Sequence, residues 1–166
     1  MTQVVLVDEA DKLLGLKEKF LTHHNPVPLH RAISIIIYNH DQSQILITKR
    51  AKNKPTWPGY WSNAVCTHPL PNESYLACAQ RRLVEELGFA CELKEVFHFI
   101  YEAQFDETWG EHELDHVFVG EYEGEVKPDP AEVVESKWIK IEDLQKDLVN
   151  HPDLYTPWFK TILEKL

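Results

Sequence analysis

The run from Ser74 to Gly88 constrains the fold more than any other stretch. Leu76, Ala79, Leu83 and Leu87 recur at intervals of three and four, the spacing of one face of an α-helix. Ser74 is placed to cap the start, and Gly88 to stop the last turn. The helix ends on Glu85 and Glu86, where the macrodipole favours cations rather than carboxylates. Two arrangements relieve that mismatch. Arg81 and Arg82 can pair with Glu85 and Glu86 at i,i+4, or a divalent cation can bind there. Just ahead of the helix, W-P-G-Y-W-S-N-A-V-C-T-H-P, beginning at Trp57, sets the Cys66 thiol and the His68 imidazole close to those carboxylates in sequence.

The rest of the chain reads as strands and helices interleaved. Val4–Val7 has the pattern of a strand, followed by a turn at Asp8–Lys12, while Leu13 to Leu21 shows no clean period. His23 to His30, with Pro26 and Pro28, reads as an extended connection, because proline restricts the residue before it. Ile33–Tyr38 and Ile45–Thr48 flank Asn39-His40-Asp41-Gln42-Ser43 and predict a β-hairpin. Val96–Ala103, Glu111–Glu121 and Val133–Ile139 read as further strands, Ile141–Asn150 as a helix, and Thr156-Pro157 as the start of a last helix. This interleaving predicts one α/β (α+β) domain over residues 1–166, a mixed sheet flanked by helices.

Within Glu111–Glu121, residues two apart share a face, so Glu111, Glu113 and Asp115 line up with Val117 and Val119, with Leu114 and Phe118 opposite. Either both faces are covered and the carboxylates point into protein, where unpaired charge is costly, or this is an edge strand with its acidic side in water. His23, His30, His68, Glu111 and Glu113 form His-x6-His, Cys-x-His and Glu-x-Glu patterns. A mixed nitrogen and oxygen set of this kind suits Mn²⁺, Mg²⁺ or Zn²⁺ better than a thiolate-rich structural zinc.

Charge bounds the partners. The net charge of −10 argues against nucleic acid or an anionic membrane, which need a basic face. It leaves room for a small anion held by local cations such as the Lys49–Lys54 cluster. No apolar run approaches the roughly 18 residues of a membrane span. The three cysteines, Cys66, Cys78 and Cys91, are not spaced as a disulfide framework. Reduced thiols in a cytoplasmic protein are the expectation.

Glu73 and Arg81-Arg82-Leu83-Val84-Glu85-Glu86-Leu87-Gly88 resemble the Nudix box, whose glutamates bind divalent cations for diphosphate chemistry. Thr67 replaces the leading glycine of that box, and Arg82 replaces the first glutamate of its R-E-x-x-E-E core. The order Leu29-His30, Thr48-Lys49-Arg50-Ala51, Trp57-Pro58-Gly59, Trp61-Ser62-Asn63, Val65-Cys66-Thr67-His68-Pro69, the box, and Glu111-His112-Glu113 resembles the type I isopentenyl-diphosphate Δ-isomerases. The likeness runs from near Lys19 to Trp158.

That resemblance implies a Nudix-type sandwich that moves a double bond within a five-carbon prenyl diphosphate; the oligomeric state is not readable from the residues, and a monomer is the favoured expectation. It implies Cys66 and Glu113 as the proton-handling pair, with Tyr101 beside Glu113. It implies His23, His30, His68, Glu111 and Glu113 as ligands of one metal (Mn²⁺, Mg²⁺ or Zn²⁺). Glu86 would be the ligand of a diphosphate-bridging Mg²⁺. Lys19, Arg50, Lys54 and Arg82 would hold the diphosphate, and Trp158 would face the carbocation. Two other activities stay open at this stage: a Nudix hydrolase of a nucleoside or prenyl diphosphate, and a non-catalytic diphosphate-binding module.

Overall fold

A computed structural model describes residues 2–166. Its spine is β3 (His30–Tyr38), an apolar run rich in Ile, whose side chains are buried on both faces. Such two-sided burial is what a central strand requires. On one side β3 pairs in parallel with β8 (Gly110–Glu121), which pairs in turn with β7 (Leu93–Gln104). On the other it pairs with the short β6 (Val65–Thr67). A second group consists of β4 (Gln44–Arg50) between β5 (Trp61–Ser62) and β9 (Val133–Lys140). The N-terminal strands β1 (Gln3–Val7) and β2 (Leu13–Glu18) form a hairpin that joins β3 at Leu6 and His30.

The expected hairpin of β3 and β4 is therefore only a corner. The two strands meet at Tyr38 and Ile45 and then part, each finding distant partners. The edge-strand alternative for β8 is also excluded, since β8 lies between β3 and β7. The aperiodic stretch Leu13–Leu21 resolves into β2 and a single helical turn, α1 (Lys19–Thr22), where Glu18 accepts from the Leu21 amide at 2.9 Å.

Helices cover both faces. α2 (Tyr75–Leu87) is capped as the sequence predicts: the Ala77 amide donates to Ser74 Oγ at 3.2 Å, and Gly88 takes φ 76°. It buries Cys78, Ala79, Leu83 and Leu87 against Ile33, Ile35, Ile37 and Phe118. Leu76, expected on that face, is 42% exposed at the start of the helix. On the other face α3 (Ile141–Asn150) and α4 (Pro157–Lys165) bring Leu144, Trp158, Phe159 and Ile162 onto Ile36, Ile47 and Val117. Among the described residues, no helix is long and apolar enough to cross a membrane.

Candidate functional site

The site lies where α1, the ends of β3 and β8, and the strand β6 converge. His23 follows α1, His30 opens β3, His68 follows β6, and Glu111 and Glu113 point from one face of β8. Their donor atoms gather within 4.8 Å of one another. The three imidazole centroids stand 5.0–5.1 Å apart in every pairing. Segments separated by some ninety residues thus meet in one cluster, as the five-residue pattern requires.

The cluster is built for a cation. His23 Nδ1 donates to the Lys19 carbonyl at 2.7 Å and His30 Nδ1 to the Pro28 carbonyl at 2.8 Å. Fixing the proton on Nδ1 leaves each Nε2 lone pair facing inward, the outer-shell arrangement of metal-binding histidines. His23 Nε2 then meets Glu111 Oε2 at 3.1 Å, and His30 Nε2 meets Glu113 Oε1 at 3.6 Å, so ring nitrogens and carboxylate oxygens converge on one point. His30 Nε2, His68 Nδ1 and Glu111 Oε2 are buried without a hydrogen-bond partner. Burial disfavours a charged His23, yet the Glu111 carboxylate outweighs it and raises the ring's affinity for a proton. Two buried carboxylates facing three imidazoles are a donor set that a divalent ion would neutralise. Thr56 Oγ1 donates to Glu111 Oε1 at 2.6 Å and orients that carboxylate.

Beside the cluster opens a cavity of ≈ 390 Å³ with His23, Arg50, Cys66, His68, Glu113 and Trp158 in its wall. Cys66, on β6, and Glu113, on β8, face the same space. Burial, and next the nearby Glu113 carboxylate, push the Cys66 thiol well above its ordinary range, so it holds its proton at neutral pH. Burial also works against an ionised Glu113, but its contacts with His30 and then with the Tyr101 hydroxyl prevail and hold its carboxyl below the usual range. Tyr101, directly opposite Glu113 in the ladder, donates to Glu113 Oε2. His68 Nε2 donates to Oε1 at 2.8 Å. A weak acid and a carboxylate therefore share one chamber, the requirement for adding a proton at one carbon and removing one from another.

Trp158 is almost wholly buried, and its indole N–H donates to Ser62 Oγ at 3.1 Å. The Arg50 guanidinium stands 5.1 Å from the Trp158 ring centre, donating to the carbonyls of Thr56 and Trp57. Lys19 also lines the cavity, and burial followed by the charges of Lys54 and Arg82 lowers its affinity for a proton. These cations converge from separate elements, as the basic positions in the sequence suggest.

Two expected residues stand slightly apart. Glu86 lies in a small adjoining recess shared with Cys66, Arg50 and Lys54, and its carboxylate accepts from Arg82 at 2.6 and 3.0 Å. Arg82 reaches the site through Glu132, a residue of the turn before β9 that sequence reasoning missed. Glu132 pairs with Arg82 at 3.2 Å and with Lys54. Arg81 pairs with Glu85 at 3.0 Å and with Glu73 at 2.6 Å, so the i,i+4 pairing holds for both arginines. Asp115, one step along β8, is fully buried and accepts from Ser34 Oγ at 2.8 Å, and burial pushes its carboxyl well above the usual range.

Comparison with known proteins fits this geometry. A model of the NUDIX domain family matches residues 28–159. The chain is 40% identical over 163 residues to a Burkholderia multivorans protein named isopentenyl-diphosphate Delta-isomerase, covering 98% of this chain and 92% of that one. It is also 40% identical to isopentenyl-diphosphate Delta-isomerase 2 of Aromatoleum aromaticum, over 99% of this chain and 86% of the relative. Among solved structures, a Deinococcus radiodurans protein superposes with a TM-score of 0.72 at 17% identity, over 90% of each chain. A MutT protein of Methanosarcina mazei superposes with a TM-score of 0.68 at 21% identity, over 83% of this chain and 92% of that one. At those identities the structures speak to fold alone.

Proposed function

The chain belongs to the Nudix superfamily and, within it, to the isopentenyl-diphosphate Delta-isomerases, and from that premise we propose how its residues interconvert isopentenyl and dimethylallyl diphosphate. The observation that carries the reading is the shared chamber: a protonated thiol and an anionic carboxylate on the walls of one cavity, beside a cluster that calls for a divalent cation. A hydrolase needs an activated water near phosphorus; an isomerase needs two proton-active groups flanking carbon.

In one direction, the proton leaves Cys66 for the terminal alkene carbon, the tertiary cation forms at the next carbon, and Glu113 takes a proton from the carbon on the cation's other side. The double bond has then moved, the enzyme's proton has passed from sulfur to carboxylate, and exchange with solvent resets the pair. The reverse reaction runs through the same two groups with roles exchanged. Tyr101 holds Glu113 in place, and the Trp158 ring offers a face to a positive charge that water cannot reach. His23, His30, His68, Glu111 and Glu113 would hold a cation of the Mn²⁺, Mg²⁺ or Zn²⁺ class, whose charge would bias the protonation of Glu113. Arg50, Lys19, Lys54 and Arg82 neutralise the diphosphate, Arg as a fork and Lys as a point charge, and Glu86 would hold a Mg²⁺ that supplies further positive charge there.

Turnover in D₂O tests the reading directly. The product is expected to carry deuterium on carbon with no phosphate released. Phosphate release without label would instead make the protein a hydrolase, and tight binding with neither outcome would make it a binding module.

Glu132 gives a second, smaller expectation. It engages Lys54 and Arg82, two of the four cations assigned to diphosphate, so substrate must displace it. Glu132→Gln is expected to lower KM about fivefold, because a half-buried ion pair of this kind costs on the order of 1 kcal/mol to exchange. An unchanged or raised KM in steady-state assays would remove Glu132 from that role.

A further inference from the structure

The outer face of the β7–β8 ladder holds three side chains for which the isomerase chemistry has no use. His98 and His116 are register partners across the two strands, and their rings stack at 4.8 Å with 20° between planes. Glu95 precedes His98 by three residues, an odd spacing that in a regular strand would send it to the opposite face. A β-bulge at Val96 corrects this: the register shifts between Glu95 and Phe97, and Glu95 pairs with Phe118. Bulges re-aim side chains in this way. Glu95 thereby joins the histidines, and His116 Nδ1 donates to Glu95 Oε1 at 2.6 Å.

The environment then fixes one ring. Tyr75, at the start of α2, stacks on His116 with centroids 3.6 Å apart and planes 16° from parallel. The Tyr75 hydroxyl is tied to Asp11 at 2.9 Å, and Arg31 sits 5.3 Å from its ring centre. His116 is thus clamped from behind by packed, hydrogen-bonded groups, whereas Glu95 and His98 are exposed and free to adjust. One donor atom from each of the three residues lies within 4.8 Å of the others. Donors around a tetrahedral zinc stand about 3.3 Å apart when each bond is about 2.0 Å. Only small rotations of the two exposed side chains separate the observed arrangement from that geometry.

We propose that Glu95, His98 and His116 form a further metal site, separate from the chamber's, an open clip for a Zn²⁺-class ion that bridges β7 and β8 on the face opposite the isomerase chamber. Two imidazoles and one carboxylate are a borderline donor set, suited to zinc and other late first-row ions rather than to Mg²⁺. The ladder it would pin is the one that pairs Tyr101 with Glu113 three residues further along. The clip therefore braces the strands that carry the catalytic carboxylate without entering the chemistry. It does not depend on which diphosphate the chamber takes.

Zinc titration calorimetry on the metal-stripped protein decides the matter, with wild type compared against His98→Ala and Glu95→Gln. Wild type is expected to bind one zinc equivalent more than His98→Ala, with a dissociation constant at or below about 10 µM for that extra ion. Glu95→Gln should keep the extra equivalent but weaken it by about tenfold or more. Isomerisation after reloading with Mg²⁺ should be the same in all three, which also shows that they are folded. Because His98 is exposed, alanine should be tolerated; His98→Gln, closer in size, repeats the test if it is not. Equal zinc stoichiometry in wild type and both His98 variants would overturn the proposal, as would an extra ion whose affinity is indifferent to Glu95.

Discussion

Replacing Cys66 by alanine is expected to lower isomerisation by at least about 10³-fold, within the range that a positioned proton donor contributes, while leaving substrate binding within a few-fold. In the proposed mechanism the thiol is the proton source; it faces the cavity from β6, and burial beside Glu113 keeps it protonated. The β6 backbone pairs with β3 at Ser34, so losing one sulfur leaves the strand in place. The small void should cost about 1 kcal/mol of stability. Initial rates of product formation, with binding measured separately, check both halves of the expectation. Turnover within tenfold of wild type would take the proton-donor role away from Cys66. Cys66→Ser is expected to be nearly as inactive, because a hydroxyl fills the same space but is a far weaker acid.

The parts of this molecule that a reader of sequence can see are those governed by local periodicity. Helix α2 follows from its cap, its apolar face and its terminal glycine, all encoded within fifteen residues. Glu111 and Glu113 fall on one face of β8 because alternation is a property of a single strand. The five-residue cation cluster was legible as donor types, and its assembly was legible only through likeness to a family. What escaped depends on long-range pairing. A short turn at Asn39–Ser43 looks like a hairpin, yet β3 gains far more by pairing along its length with β8, eighty residues on, than with β4. The bulge at Val96 hides the Glu95–His98–His116 grouping from any alternation rule. Glu132 and Thr56 carry no signal at all, since a turn glutamate and a loop threonine acquire roles only from what folds beside them.

The largest loss is expected at Glu113, because the proposed mechanism gives one carboxylate three functions there. Glu113→Gln keeps the shape but removes the charge that takes the substrate proton, a ligand to the cation, and the anion that Tyr101 and His68 hold. Proton handling alone accounts for about 10²–10⁴-fold, and a weakened metal site adds about tenfold or more, so activity should fall by 10⁴-fold or beyond. Glu111→Gln separates the two contributions. Glu111 shares the cluster and contacts His23 at 3.1 Å, but the proposed mechanism gives it no part in moving the proton. Its loss should lower metal content and activity together, and raised Mn²⁺ should restore much of both. In Glu113→Gln, raised Mn²⁺ should restore metal content while turnover stays near zero. Rates recovered in step with bound metal in both variants would reduce Glu113 to a ligand and leave the thiol without its opposing base.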